Sequence, residues 1–236
     1  MEQTREWLKQ ARSVAVLTGA GVSAESGVPT FRGKEGLWRN YRPEDLATPD
    51  AFERDPRLVW EWYNWRRSLI ARAHPNPGHY ALADLENQLP EFTIISQNVD
   101  DLHEQAGSRT VLKIHGDIWL VRCIECRKQH IDPRPCLPDL PPRCHCGGLL
   151  RPGVVWFGED LPQEIWCKAL EAARRADLFL VIGTSAVVYP AASLVRIAKR
   201  ARARVVEINL TETVITSEID AFLAGPCGEL LPKLIA

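Results

Sequence analysis

The chain has 236 residues, 45% hydrophobic and 25% charged, a globular balance that excludes disorder and fibrous repeats. Lysine plus arginine numbers 29 and aspartate plus glutamate 30, and the net charge of −1 argues against a general nucleic-acid or membrane-surface binder. No apolar run nears the roughly 18–20 residues that span a bilayer, and residues 1–12 have no apolar signal-peptide core, so a cytoplasmic location is expected.

From the amino terminus, an amphipathic helix is predicted over Gln3 to Ala11, then an apolar strand over Val14 to Leu17. That strand ends in Thr18-Gly19-Ala20-Gly21, a turn that glycine enters at little steric cost. Residues 22–75 hold a polar loop, with Gly27 and Pro29 too close together for a helix, and then an aromatic helical patch over Val59 to Trp65. A helix over Gly78 to Gln88 precedes a second strand, Phe92 to Ser96, and a strand-like piece over Thr110 to Ile114. Residues 118–151 carry four clustered cysteines with Pro133, Pro135, Pro138, Pro141 and Pro142, too many prolines for sheet or helix. Helices over Gln163 to Ala176 and Pro190 to Ala201 then alternate with strands over Leu178 to Gly183 and Val205 to Leu210.

Fully apolar strands alternating with amphipathic helices predict an α/β fold, a doubly wound parallel, Rossmann-like sheet covered on both faces. The sheet is assigned to residues 1–24, 76–117 and 152–236. The insertions at 25–75 (cofactor loop and helical part) and 118–151 (zinc part) are assigned to a second, smaller domain.

Gly19, Gly21 and Ala24 fit the pattern G-x-G-x-x-G/A directly after a predicted strand. There the glycines let backbone approach a pyrophosphate, whose charge sits at a following helix N-terminus. An ordinary tight strand-to-helix turn shows the same pattern. The acidic ribose ligand about 20 residues further on is missing, so Glu207-Ile208-Asn209 is the candidate source of ribose or adenine contacts. Phe31 and Arg32 combine an apolar shield with a cation, suited to a reactive sugar or a phosphate.

Gln97, Asn98 and Asp100 follow the second strand, where polar groups point into the ligand crevice of a parallel sheet. Such groups can bond ribose hydroxyls and an amide-bearing ring. His115, before Gly116 at a strand end, is a candidate general base because imidazole titrates near neutrality.

Cys123-x-x-Cys126 is followed after 17 residues by Cys144-x-Cys146. Four thiolates on two tight turns suit a tetrahedral Zn²⁺. Such a closed set leaves no coordination position for water, so the ion is structural. A redox dithiol would need only one pair. The odd total of seven cysteines fits a reducing compartment.

In its order of motifs the chain resembles the sirtuins, NAD-dependent protein lysine deacylases. The resemblance rests on Gly19 to Ser23, Gly27 to Arg32, Gln97 to Asp100, His115-Gly116, the four cysteines, Arg151 to Glu159 and Gly183-Thr184-Ser185. It implies that NAD is consumed: the acyl-lysine oxygen displaces nicotinamide, His115 acts as base on a ribose hydroxyl, and free lysine and O-acyl-ADP-ribose leave. Asn98 and Asp100 would join His115 as catalytic residues, orienting ribose and nicotinamide, with Phe31 shielding the sugar. Gly19, Ala20, Gly21, Ser23, Ala24, Arg32, Gln97 and Val99 would line the dinucleotide, with Gly183, Thr184, Ser185, Asn209, Leu210, Thr211 and Cys227. Val155, Phe157, Gly158 and Val188 would hold the acylated peptide as an extended strand.

Positions three apart on a helix share a face, so Tyr63 and Arg66 can point together. Spacing alone favours Arg66 and Arg67 as a solvated helix edge, with Tyr63 as core filler. The resemblance to the branch that removes succinyl and malonyl groups, which carries Tyr-x-x-Arg here, implies a carboxylate receptor. The sequence departs from that branch at the shortened second cysteine pair and at Gly153, often histidine there. The competing readings are a mono-ADP-ribosyltransferase and a non-enzymatic NAD-sensing zinc module. Expected partners are acylated lysines in proteins or peptides, with no specific nucleic acid and no membrane.

Overall fold

A computed structural model describes residues 1–31, 36–37 and 42–236. The chain runs α1 (Glu2–Gln10), β1 (Ser13–Thr18), α2 (Ala20–Ala24), α3 (Pro43–Leu46), α4 (Pro49–Arg54), α5 (Pro56–Ile70), α6 (Pro77–Gln88) and β2 (Glu91–Ser96). It continues through α7 (Leu102–Gln105), β3 (Val111–Lys113), β4 (Gly116–Cys123), β5 (Gln129–Ile131), β6 (Leu150–Val154) and α8 (Gln163–Arg175). Then follow β7 (Leu178–Ile182), α9 (Ser193–Arg200), β8 (Arg204–Asn209), β9 (Ala221–Ala224) and α10 (Cys227–Ile235).

Six strands form one parallel sheet in the order β3-β2-β1-β7-β8-β9. Alternate residues feed opposite cores, as a pleated strand requires. Val14, Val16, Leu178 and Leu180 pack with Leu82 and Leu231 from α6 and α10. Ala15, Leu17, Phe179 and Val181 pack with Ala169 and Leu194 from α8 and α9. The doubly wound parallel sheet expected from the apolar runs is therefore present. The chain leaves β1 toward β2 on one side and returns at β7 on the other, so the switch point lies between β1 and β7. In register, Thr18 pairs with Ser96 and Ile182, and Ile182 with Ile208, which brings four strand ends to one crevice.

The structure corrects the expectation that residues 118–151 hold neither sheet nor helix. β5, β4 and β6 form a three-stranded antiparallel sheet. The five prolines lie between β5 and β6, outside the ladder, so they do not interrupt its hydrogen bonds. β9 was not predicted either. It is a short, half-buried edge strand and lacks the fully apolar signature of its neighbours. α9 starts at Ser193, after a turn in which Ala192 N donates to Val188 O at 2.9 Å.

α5 is the spine of the smaller lobe. Asp55 caps it by accepting from Leu58 N at 2.9 Å, and Pro56 occupies the first turn, where no intrahelical donor is lost. Val59, Trp60, Trp62, Tyr63, Arg66, Arg67 and Ile70 are buried, a stripe at helical spacing. The Trp60 indole donates to Leu150 O at 2.7 Å, fastening the helix to β6.

Candidate active site and metal centre

A cavity of about 1110 Å³ lies over the ends of β1, β2, β7 and β8 and reaches across to α5. It exceeds the roughly 300–1,000 Å³ of ordinary small-molecule pockets, leaving room for a dinucleotide and a second substrate.

The first wall is backbone. Gly21 N donates to Gly183 O at 2.8 Å, locking the turn after β1 to the turn after β7. A Cβ on Gly21 would sit 2.7 Å from Gly183 Cα, and Gly183 has φ +59, so neither position accepts a side chain without displacement. This close approach is why glycines stand here. Gln97 Nε2 donates to Thr184 Oγ1 at 2.9 Å and Asn209 Nδ2 to Thr184 O at 2.9 Å, so the loops after β2, β7 and β8 form one hydrogen-bonded rim.

Asn98 Nδ2 donates to Gly19 O at 3.1 Å and to Ser23 Oγ at 3.0 Å, and Ser23 Oγ donates to Asp100 Oδ2 at 3.0 Å. Burial pushes the Asp100 carboxyl above its ordinary range, opposed by the Leu102 N–H and the Ser23 hydroxyl. Ser23 and Asp100 do not line the cavity; they stand behind Asn98 and brace it.

His115 lines the cavity, and its Nδ1 lies 2.9 Å from Gln97 O. A carbonyl only accepts, so Nδ1 carries the proton and Nε2 is left as the acceptor in the neutral ring. Burial lowers the His115 pKa below its usual value, partly offset by the Gln97 bond.

Gly19, Ala20, Ala24, Phe31, Val99, Ser185, Leu210, Thr211 and Cys227 also line the cavity, as expected. Cys227 Sγ lies 3.1 Å from a Glu25 carboxylate oxygen, and burial pushes its thiol well up. Arg32 lies outside the described residues. Glu207 is corrected: it is fully buried away from the cavity, accepting from the Thr213 and Thr216 hydroxyls at 2.6 and 2.5 Å. Of that trio Ile208 and Asn209 reach the cleft.

The opposite wall carries Tyr63, Arg66, Trp62 and Trp156. Arg66 and Arg67 are not a solvated edge; both are buried. Arg67 donates to Asp132 O and stands 3.9 Å from Asp132 Oδ1. Arg66 pairs with no carboxylate among the described residues. Its guanidinium carbon lies 4.3 Å from the Phe31 ring centre, and Nη1 is buried with no hydrogen-bond partner. Burial lowers the Arg66 pKa to about 10, still charged at neutral pH.

Val155, Phe157, Gly158 and Val188 lie at the cavity as expected. They belong to loops rather than strands, with Phe157, Val187 and Tyr189 exposed at the mouth. Gly153 lies off the cavity, where a Cβ would meet Leu120 Cβ at 2.5 Å, so its departure from histidine is a packing matter. Trp62, Trp156 and Leu161 line the cavity without having been singled out. Aromatic periodicity marked Trp62 only as a helical face.

Cys123, Cys126, Cys144 and Cys146 bring their sulfurs within 4.8 Å of one another. Cys123 Sγ is 3.5 Å from Cys146 Sγ, and Cys126 Sγ is 3.8 Å from Cys144 Sγ. Tetrahedral zinc with bonds of ~2.3 Å requires sulfurs about 3.8 Å apart, so the four residues fit the ion. The shortened second pair is accommodated because Gly147, at φ +90, closes a turn in which its N–H donates to Cys144 O at 2.8 Å. His145 is exposed and outside the cluster.

Residues 19–190 match the Sir2 family. The chain is 57% identical over 229 residues to NAD-dependent protein deacylase 2 of Pyrobaculum aerophilum, covering 97% of this chain and 92% of that one. It superposes on a crystal structure of a Sir2 homologue–NAD complex with TM-score 0.93 and 48% identity, covering 100% of this chain and 92% of the other. A Sir2 structure with a deacetylated p53 peptide and 3′-O-acetyl ADP ribose aligns with TM-score 0.89 at 32% identity, over 100% and 97% of the two chains. The glycine turn, the histidine on its carbonyl and the four-sulfur cluster thus stand in one known architecture, and the chain belongs to the Sir2 family of NAD-dependent protein deacylases.

Proposed function

We propose that this sirtuin removes carboxylate-bearing acyl groups, succinyl and malonyl, from protein lysines better than it removes acetyl. With NAD and water the products are free lysine, nicotinamide and O-acyl-ADP-ribose. The observation that carries the reading is Arg66, a buried cation at the cavity wall whose Nη1 has no hydrogen-bond partner and which pairs with no carboxylate among the described residues. A buried charge without a counter-ion is costly, and the terminal carboxylate of a succinyl chain would supply the missing partner. The neighbouring Arg67 also buries two nitrogens, Nε and Nη1, without a partner, but it has the Asp132 carboxylate beside it and does not line the cavity.

Bound NAD supplies an electrophilic sugar carbon and a nicotinamide leaving group. Around it, the glycine turns at Gly19 to Gly21 and at Gly183 would hold the pyrophosphate against backbone, while Asn209, Leu210 and Thr211 would take the adenosine end. Asn98 would orient the nicotinamide ribose, and Asp100 would act through Ser23 to hold Asn98. Phe31 would exclude water from the sugar face. His115 Nε2 would take a proton from a ribose hydroxyl, the Gln97 carbonyl keeping the other ring nitrogen protonated. The loops 155–159 and 186–190 would receive the extended peptide between them. Zinc on the four cysteines would hold the smaller lobe, and therefore α5, in place.

The test is a matched kinetic comparison of succinyl- and acetyl-lysine peptides on wild type and Arg66→Met. The variant should lose about 1.5–3 kcal/mol of kcat/KM on the succinylated peptide, the worth of a hydrogen bond to a charged group. Acetyl-lysine turnover should change far less. Equal losses on both substrates would defeat the reading.

A further inference from the structure

We infer that Trp156 is a positioning residue for acyl selection: its indole N–H occupies the Tyr63 oxygen and so directs the phenol proton toward the acyl group. The inference rests on the acidic-acyl reading of Arg66.

The Trp156 Nε1 lies 2.9 Å from the Tyr63 hydroxyl, in a contact that is fully buried. Indole can only donate, so the phenol oxygen must accept. That leaves the hydroxyl proton outside this bond, and no acceptor among the described residues takes it. Tyr63 lines the cavity on the same helical face as Arg66, one turn away. Among the described residues the subsite therefore presents two uncommitted donors, a phenol O–H and a guanidinium N–H, with no acceptor bonded to either. That set matches a ligand made only of acceptors, which is what a carboxylate is. Were Tyr63 turned to donate to a protein group, its lone pairs would face the carboxylate and repel it.

Trp156 is held firmly enough to impose this direction. Its backbone N–H donates to Glu159 Oε2 at 2.8 Å. Glu159 is in turn gripped by Arg151 through bonds of 2.5 and 2.8 Å. The Arg151 guanidinium lies 3.5 Å from the indole ring centre, and Phe52 packs against the ring at 5.4 Å. The tryptophan is 3% exposed. Arg151 and Glu159 neutralise one another, so the brace adds no net charge that would compete with Arg66 for the acyl carboxylate.

Trp156→Phe keeps the aromatic packing and removes only the N–H. It should raise KM for a succinyl-lysine peptide by about 2–10-fold, the range of one neutral hydrogen bond, with kcat little changed. KM for the acetyl-lysine peptide should stay within about twofold. Tyr63→Phe should reproduce the loss, and adding Trp156→Phe to it should cost nothing further, because the two groups act as one unit. A loss shared equally by both peptides, a fall in kcat on both, or additive effects in the double variant would overturn the inference. So would a Tyr63→Phe enzyme with unchanged KM for the succinylated peptide, a result that needs no Trp156 variant to fold. Arg66→Met separates the two levels. If it is selective and Trp156→Phe is not, only the tryptophan's role falls; if Arg66→Met is itself unselective, the acidic-acyl reading falls with it.

Discussion

The two sheets of this protein are held by different physics. In the six-stranded sheet, all five residues of β7 are completely buried between two apolar cores, and helices cover both faces. In the three-stranded sheet, every residue of β5 is exposed, and the four cysteines gather where the chain is rich in proline. Apolar burial suffices for the first, since it supplies about 25 cal/mol per Å² over many residues. The second buries Ile118, Val121, Leu150 and Val154 against the aromatic face of α5 but leaves β5 and most of the cysteine turns uncovered, the part that a zinc ion on the four sulfurs would hold. The larger sheet should therefore tolerate loss of metal, and the smaller one should not.

Removing the ion sharpens that contrast most. Cys144→Ser, or treatment with a strong chelator, should drop zinc below one per chain, because structural zinc contributes on the order of 10 kcal/mol to folding such units. Hydrogen exchange should then rise across β4 to β6 and the cysteine turns while β1, β2 and β7 stay protected. Uniform protection without metal would break the comparison. A second substitution acts from the opposite side. His115→Tyr should cut deacylation by about 10²-fold or more with little change in melting temperature or zinc content, since it removes a proton acceptor and no core contact. Near-normal turnover would remove His115 from the base role.

A smaller effect follows from pH. His115 has a lowered pKa, so the acid limb of kcat/KM should fall below the ordinary imidazole midpoint of about 6.5. Activity is lost as pH drops and His115 takes up a proton. Smaller still is the stability change from His79 and His103, buried side by side behind β1 with ring centres 4.8 Å apart. Burial lowers them to about 4 and about 3. Their pKa values are depressed in the folded state, so the unfolded chain binds more protons between those values and about 6.5. Stability is complete above that window and declines as pH falls through it. A melting temperature flat from pH 6.5 to 4 would contradict their buried, neutral state.

Much of the larger sheet was legible because its signals are local. A five-residue apolar run such as Leu178 to Ile182, too short for a helix and set between amphipathic helices, reads as a strand buried on both faces, and the Gly19–Gly21 turn announces a close approach. The cysteine spacing was legible for the same reason: ligand geometry leaves its mark on short separations. Proline density misled at residues 118–151, because prolines count against a strand only where they fall within it. Glu207 also misled, since a carboxylate at a strand end can turn to neighbouring hydroxyls instead of the crevice.

Other features had no sequence signal at all. Arg66 and Arg67 are adjacent and chemically identical, yet only Arg67 meets Asp132, which lies 65 residues away. Trp156 and Tyr63 are 93 residues apart, and nothing in either neighbourhood announces the bond. By itself, then, the sequence determined the parallel sheet, the glycine turns and the metal ligands, because periodicity, steric freedom and coordination act over a few residues. Only the tertiary structure decided which buried arginine faces the cavity with no carboxylate beside it among the described residues, and which way the Tyr63 hydroxyl is turned, because burial and hydrogen-bond direction depend on residues that the fold brings together from distant parts of the chain.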